Sequence, residues 1–174
     1  LDLNALGSNL PQPLDKKTGS NLKGQFKYQS VLNESTSKRT SQWSSQLGKN
    51  ISLEGRINAQ GVMSQGIGIG VTPLVPESGI GINLQANDIN IDDWHSLLYP
   101  KALSNKAPVQ KSTQESMKGS SSPDGDGLNV LNARVRNAVA LNRQWPNLAL
   151  NAKLVNGSWL IQAKSPLLEG QVQY

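Results

Sequence analysis

The sequence predicts an all-β fold, an antiparallel meander with one short helix near residues 92–99. Three observations carry this: apolar residues alternate with polar ones at period two, helical periodicity is nearly absent, and turn residues punctuate the alternating runs. A sheet with one wet and one dry face requires that pattern. Only 36% of the 174 residues are apolar, with a single Phe, which is thin for a two-layer core but sufficient for one apolar face.

The elements follow in chain order. Gln42 to Leu47 is expected to pair across a Gly48-Lys49-Asn50 turn with a strand whose Ile51, Leu53, Gly55, Ile57 and Ala59 share one side. Ile80, Ile82, Leu84 and Ala86 form the next row. The apolar parity then switches to Ile89 and Ile91, which predicts a bulge near Asn87-Asp88. Asp92-Asp93 followed by Trp94 to Tyr99 reads as a helix with an acidic N-cap and first turn, stopped by Pro100. Residues 104–127 are Ser, Gly, Pro, Gln and Lys with almost no apolar anchor, a composition that predicts a flexible loop between two parts, 1–103 and 128–174, of one continuous domain.

Beyond that loop the alternation is strongest. Leu131, Ala133 and Val135, then Val139 and Leu141, line one parity of a strand or broken pair of strands. Leu148, Leu150, Ala152 and Leu154 lead into Asn156-Gly157, and Trp159, Ile161 and Ala163 lead out, the clearest type I′ hairpin signature in the chain. Ser165-Pro166 breaks that arm, and Leu168, Gly170, Val172 and Tyr174 start another strand.

No enzyme is expected, because the residues for one do not assemble in the sequence. His95 is the only histidine and there is no cysteine, so nucleophile-base pairs and thiolate metal sites have no basis. Asp124-Gly125-Asp126-Gly127 lacks the further ligands of a calcium loop. Gly66-Ile67-Gly68-Ile69-Gly70 is followed by Pro73 and Pro76 and not by a helix, so these glycines read as small residues where backbone or ligand approaches closely, not as a dinucleotide fingerprint. Trp43, Trp94, Trp145 and Trp159 read as sheet-face or hinge packing residues, with Trp43 and Trp159 also suited to lipid contact. No cofactor or metal is expected. The net charge of +5 does not bring nucleic acid into view, since Lys16-Lys17 and Lys38-Arg39 are the only adjacent basic pairs. Starting at Leu1 without a leader or an apolar run of about 18 residues, the chain reads as a segment of a larger protein.

Three stretches resemble the YhdP-type proteins of the AsmA-like family, in their C-terminal half. They are Asn9 to Leu14 with Lys16 and Gly19, the run from Asn83-Leu84-Gln85-Ala86 into Ile91-Asp92-Asp93-Trp94, and Gly157 to Ile161 followed by Ser165-Pro166 and Leu168 to Val172. The resemblance implies a curved, open β-groove in the periplasm of Gram-negative bacteria. It also implies an inner-membrane anchor outside this segment, envelope partners not named by the sequence, and carriage of phospholipid toward the outer membrane. Under that reading the acyl chains meet Trp43, Ile51, Leu53, Ile57, Ile80, Ile82, Leu84, Val135, Leu148, Leu150, Leu154, Trp159, Ile161 and Val172. A structural or adhesive β-solenoid or sandwich with a closed core is the alternative.

Overall fold

Period-two alternation becomes a single sheet. The computed structural model describes residues 7–20, 22–33, 38–98 and 127–174, and its strands are β1 (Gly24–Asn33), β2 (Lys38–Leu47), β3 (Ile51–Ile57), β4 (Met63–Ile69), β5 (Gly79–Asn90), β6 (Leu128–Ala140), β7 (Arg143–Val155), β8 (Ser158–Ser165) and β9 (Leu168–Gln173), with helix α1 (Ile91–Leu98) between β5 and β6. All nine strands lie side by side in chain order, and β1 and β9 do not pair with each other, so the sheet stays open. The predicted 104–127 loop lies outside the described residues except for Gly127.

Both predicted hairpins are present. Leu47 pairs with Ile51 around the Gly48 turn, and Val155 pairs with Ser158 around Asn156-Gly157. Asn156 (φ 50) and Gly157 (φ 77) are both left-handed, as a type I′ turn demands. Gly157→Val forces a β-branched side chain into that region and is expected to lower stability by about 1 kcal/mol or more in denaturant unfolding.

The pairing is not antiparallel throughout, which corrects the meander expected from the sequence. β4 runs parallel to β5 and β5 parallel to β6. After Ile69 the chain turns back from Gly70 to Ser78 across one sheet face and re-enters the sheet in the same direction. Prolines 73 and 76 belong to this crossover. Ser52 Oγ donates to Val71 O (3.3 Å), Asn83 Nδ2 to Thr72 O (2.9 Å) and Arg56 to Pro76 O (3.1 Å), and Arg56 Nε also reaches the buried Ser64 Oγ (3.1 Å). Gly68 and Gly81 lie directly beneath: a Cβ on Gly68 would strike Val71 O and one on Gly81 would strike Leu74 O. The glycine-rich tract is therefore a seat for backbone, the reading favoured from sequence.

The predicted bulge is displaced. Ala86 pairs with Val135 and Asp88 with Asn137 without a change of register, and the slip occurs between Ile80 and Gly81, opposite Asn129. What lies at Asn87 is a lapse of pairing: Asn87, Arg136 and Asn147 form no ladder pairs across β5, β6 and β7, and Asn147 is left-handed (φ 49). Two further corrections concern the turns. Leu141, expected on a strand face, sits in the β6–β7 turn, 81% exposed, with φ 56. The helix cap is Asn90, whose Oδ1 accepts from Asp92 N (3.0 Å) and Asp93 N (3.3 Å); Asp92 instead accepts from Leu141 N (2.8 Å) and Asn142 N (2.9 Å). Tyr99, assigned to the helix from sequence, lies outside the described residues.

Those bonds, from Asn142 N–H first and Leu141 N–H second, hold the Asp92 carboxyl below its ordinary pKa. A depressed folded-state pKa stabilises the fold above the unfolded value and loses that contribution as pH falls through the folded one. In unfolding experiments, wild type is expected to exceed Asp92→Asn in stability at neutral pH, and the gap is expected to shrink once the pH drops below about 4.

Candidate functional site: an apolar sheet face

Directly paired residues of neighbouring strands project to the same side of a sheet, so the register alone sorts the side chains. One row reads Gly24, Leu47, Ile51, Ile69, Leu84, Ala133, Leu150, Ala163, Gly170, one residue from each strand. A second reads Phe26, Ser45, Leu53, Ile67, Ile82, Leu131, Ala152, Ile161, Val172. Between them, on the opposite side, runs Gln25, Gln46, Ser52, Gly68, Asn83, Asn132, Asn151, Gln162, Gln171. The Asn and Gln richness of the sequence is the wet face of this sheet. The crossover from Gly70 to Ser78 packs on that wet face, leaving the apolar one clear of it.

All fourteen residues singled out from sequence fall on the apolar side. Ile51, Leu84 and Leu150 belong to the first row; Leu53, Ile82, Ile161 and Val172 to the second. Trp43 pairs with Tyr28 and Gly55, and Gln65 with Ile80, in a shorter row below. Leu154 pairs with Trp159 at the same end, Ile57 pairs with Ser41 and Met63, and Val135 and Leu148 join Ala86 at the other end. The sequence reading missed strand β1, which adds Phe26 and Tyr28, and Ile67 and Ile69 of β4. The alternation Gln25-Phe26-Lys27-Tyr28-Gln29 carried the signal for the first pair.

Nothing among the described residues seals this face. Among the described residues, Val135 (4% exposed) and Ala152 (6%) are the buried apolar side chains on this face; Ile51, Leu53, Ile67, Ile82, Leu84, Leu150 and Ile161 are half-buried, and Val172 is 61% exposed. Nine strands at about 4.8 Å spacing make the complete rows roughly 38 Å long, and two such rows project an area on the order of 500 Å². Exposed apolar patches of that size are often functional. Trp43 is pinned on it: its indole covers Gly55, where a Cβ would collide with the ring, and stacks on Phe26 with centroids 6.4 Å apart at 26°.

Polar groups mark both ends of the apolar band. Beyond the Ala86 row comes Asp88, Asn137 and Pro146, where Asn137 Nδ2 donates to Asp88 Oδ1 (2.9 Å). The N-terminal segment reaches this end, with Trp94 Nε1 of α1 donating to Gln12 O (2.9 Å). Beyond the Trp43 row, on β1 and β2, comes Ser30 paired with Ser41, in a row that continues as Ile57 and Met63 on β3 and β4. Among the described residues no group of His, Asp and Glu is placed to hold a metal ion, and no helix is long and apolar enough to cross a membrane. Trp145 Nε1 donates to Ala140 O (3.0 Å) across the β6–β7 turn.

No curated protein and no solved structure matches the chain. A family model described as YhdP protein matches residues 1–174, so this chain, with its open nine-stranded sheet, belongs to the YhdP family.

Proposed function

We propose that this sheet is a section of a lipid-transfer groove, in which acyl chains lie against the apolar face while the protein itself performs no chemistry. The observation that carries the reading is the apolar band that crosses every strand without a covering layer among the described residues. Hydrocarbon moved from water onto such a face gains about 25 cal/mol per Å² of apolar area buried. Many similar contacts spread along the rows, none deep enough to trap a chain, favour movement along the sheet. The family resemblance adds the setting: the periplasm, an inner-membrane anchor outside this segment, and phospholipid as cargo bound for the outer membrane.

Photo-crosslinking tests this. With a benzophenone side chain at Ile82 or Ile161 of the full-length protein, phospholipid adducts are expected in cells, and at Asn83 or Gln162 they are expected to be near background, because those side chains face the other way. Equal adducts at both parities would sink the groove. Absence of adducts at every position would favour the closed structural domain instead.

A further inference from the structure

We propose that the end of the apolar face on β1 and β2, formed by Tyr28, Ser30, Arg39 and Ser41, holds the phosphodiester head of a lipid whose chains lie on the adjoining rows; the inference rests on the groove reading above. Register places these four residues on the apolar side of the sheet, because Tyr28 pairs with Trp43, Ser30 with Ser41 and Leu32 with Arg39. Along β1 and β2 the face therefore grades from hydrocarbon to donor: the stacked rings of Phe26 and Trp43, then a phenol, then two hydroxyls, then a guanidinium.

The hydroxyls are already linked. Tyr28 O–H donates to Ser41 Oγ (3.1 Å), Ser41 to Ser30 Oγ (3.3 Å), and Ser30 to Thr40 O (3.4 Å). Hydroxyl rotors are free to redirect their donors, so this chain can turn toward an anion that arrives beside it. Arg39 supplies the fixed charge and a planar fork suited to phosphate oxygens. The hydrogen bonding that Tyr28 shares with Ser41 and Ser30, and then the Arg39 cation, lower the Tyr28 phenol below its ordinary pKa.

The opposite boundary is of the wrong sign. There the Asp88 carboxylate occupies the apolar side, and Asp93 shares the adjoining depression with Gln12, Asn90 and Gln144. Between the two polar boundaries four apolar rows span roughly 20 Å in the strand direction, more than the half-bilayer depth of about 15 Å over which an acyl chain packs. An anionic head at Arg39 thus leaves its chains wholly on the hydrocarbon side, and a head at Asp88 meets repulsion.

The test uses the full-length protein with Phe26 replaced by p-benzoylphenylalanine, presented with vesicles containing either labelled phosphatidylglycerol or labelled diacylglycerol. Wild type is expected to capture phosphatidylglycerol about tenfold over diacylglycerol, as a charge-assisted contact predicts. Combining Arg39→Gln with Ser41→Ala should bring the two yields to parity without lowering diacylglycerol capture, and Arg39→Lys should keep most of the preference. Arg39 is solvent-exposed and Ser41 half-buried, and loss of diacylglycerol capture is the control for misfolding. An unchanged preference in the double variant overturns the head site while leaving the groove standing. Inorganic phosphate that erases the preference assigns the residues to free anion and overturns the lipid assignment. No capture of either lipid, here or at an Ile82 probe, overturns groove and head site together.

Discussion

Leu84→Asp and Ile161→Asp, each made in the full-length protein, are expected to abolish lipid passage, whereas Gln85→Asp and Gln162→Asp are expected to leave it intact. Leu84 stands between Ile69 and Ala133, and Ile161 between Ala152 and Val172, in the two rows that cross the whole sheet. Under the proposed groove reading, acyl chains moving along either row meet that carboxylate, and an unpaired ion facing hydrocarbon costs several kcal/mol. That penalty corresponds to a loss of passage of about a hundredfold or more. One residue further along each strand the same charge faces water: Gln85 and Gln162 are exposed, and Gln162 Nε2 donates to Gln171 Oε1 (3.1 Å) among other polar side chains. Outer-membrane integrity and lipid crosslinking in cells are the readouts, after each variant is shown to unfold cooperatively. Wild-type behaviour of folded Leu84→Asp and Ile161→Asp proteins would remove the apolar rows from function.

The parity that underlies this contrast was legible in the sequence, because a strand's two faces are written as odd and even positions and no tertiary information is needed to separate them. The two hairpins were legible for a similar reason: Gly48 (φ 60) and the Asn156-Gly157 pair are local solutions to a local geometric demand. The parallel pairings around β5 were not. A crossover leaves no turn signature; its marks were glycines on the wet parity of β4 and β5, which signal a close approach of backbone but not the strand direction that follows from it. The misplaced bulge has the same origin. A change of apolar parity at Ile89 reports that the ladder is disturbed nearby, which the lapse at Asn87, Arg136 and Asn147 does, but the true slip at Ile80 and Gly81 leaves the apolar pattern intact. Asp92 shows the limit for polar residues: its position beside Asn90 suggests a cap, while its partners in the β6–β7 turn lie far along the chain.

Gly81→Ala and Gly68→Ala are expected to be the most damaging of the small substitutions, each lowering stability by about 1–3 kcal/mol or more, while Gly170→Ala is expected to be neutral or slightly stabilising. A single methyl suffices, because the atoms it meets are backbone carbonyl oxygens of Leu74 and Val71 and not the ends of flexible side chains. The crossover cannot retreat without releasing the bonds from Asn83 to Thr72 O and from Arg56 to Pro76 O, and a freed Arg56 would also withdraw from the buried Ser64. At Gly170 nothing lies within 4 Å of an added Cβ, so the substitution adds only strand-compatible bulk to the edge. Denaturant unfolding of the three variants separates the two explanations for glycine in this sheet. If Gly81→Ala behaves like Gly170→Ala, the crossover does not press on the wet face. If it loses stability as expected, the close approach that makes β4 and β5 parallel is what selects glycine there.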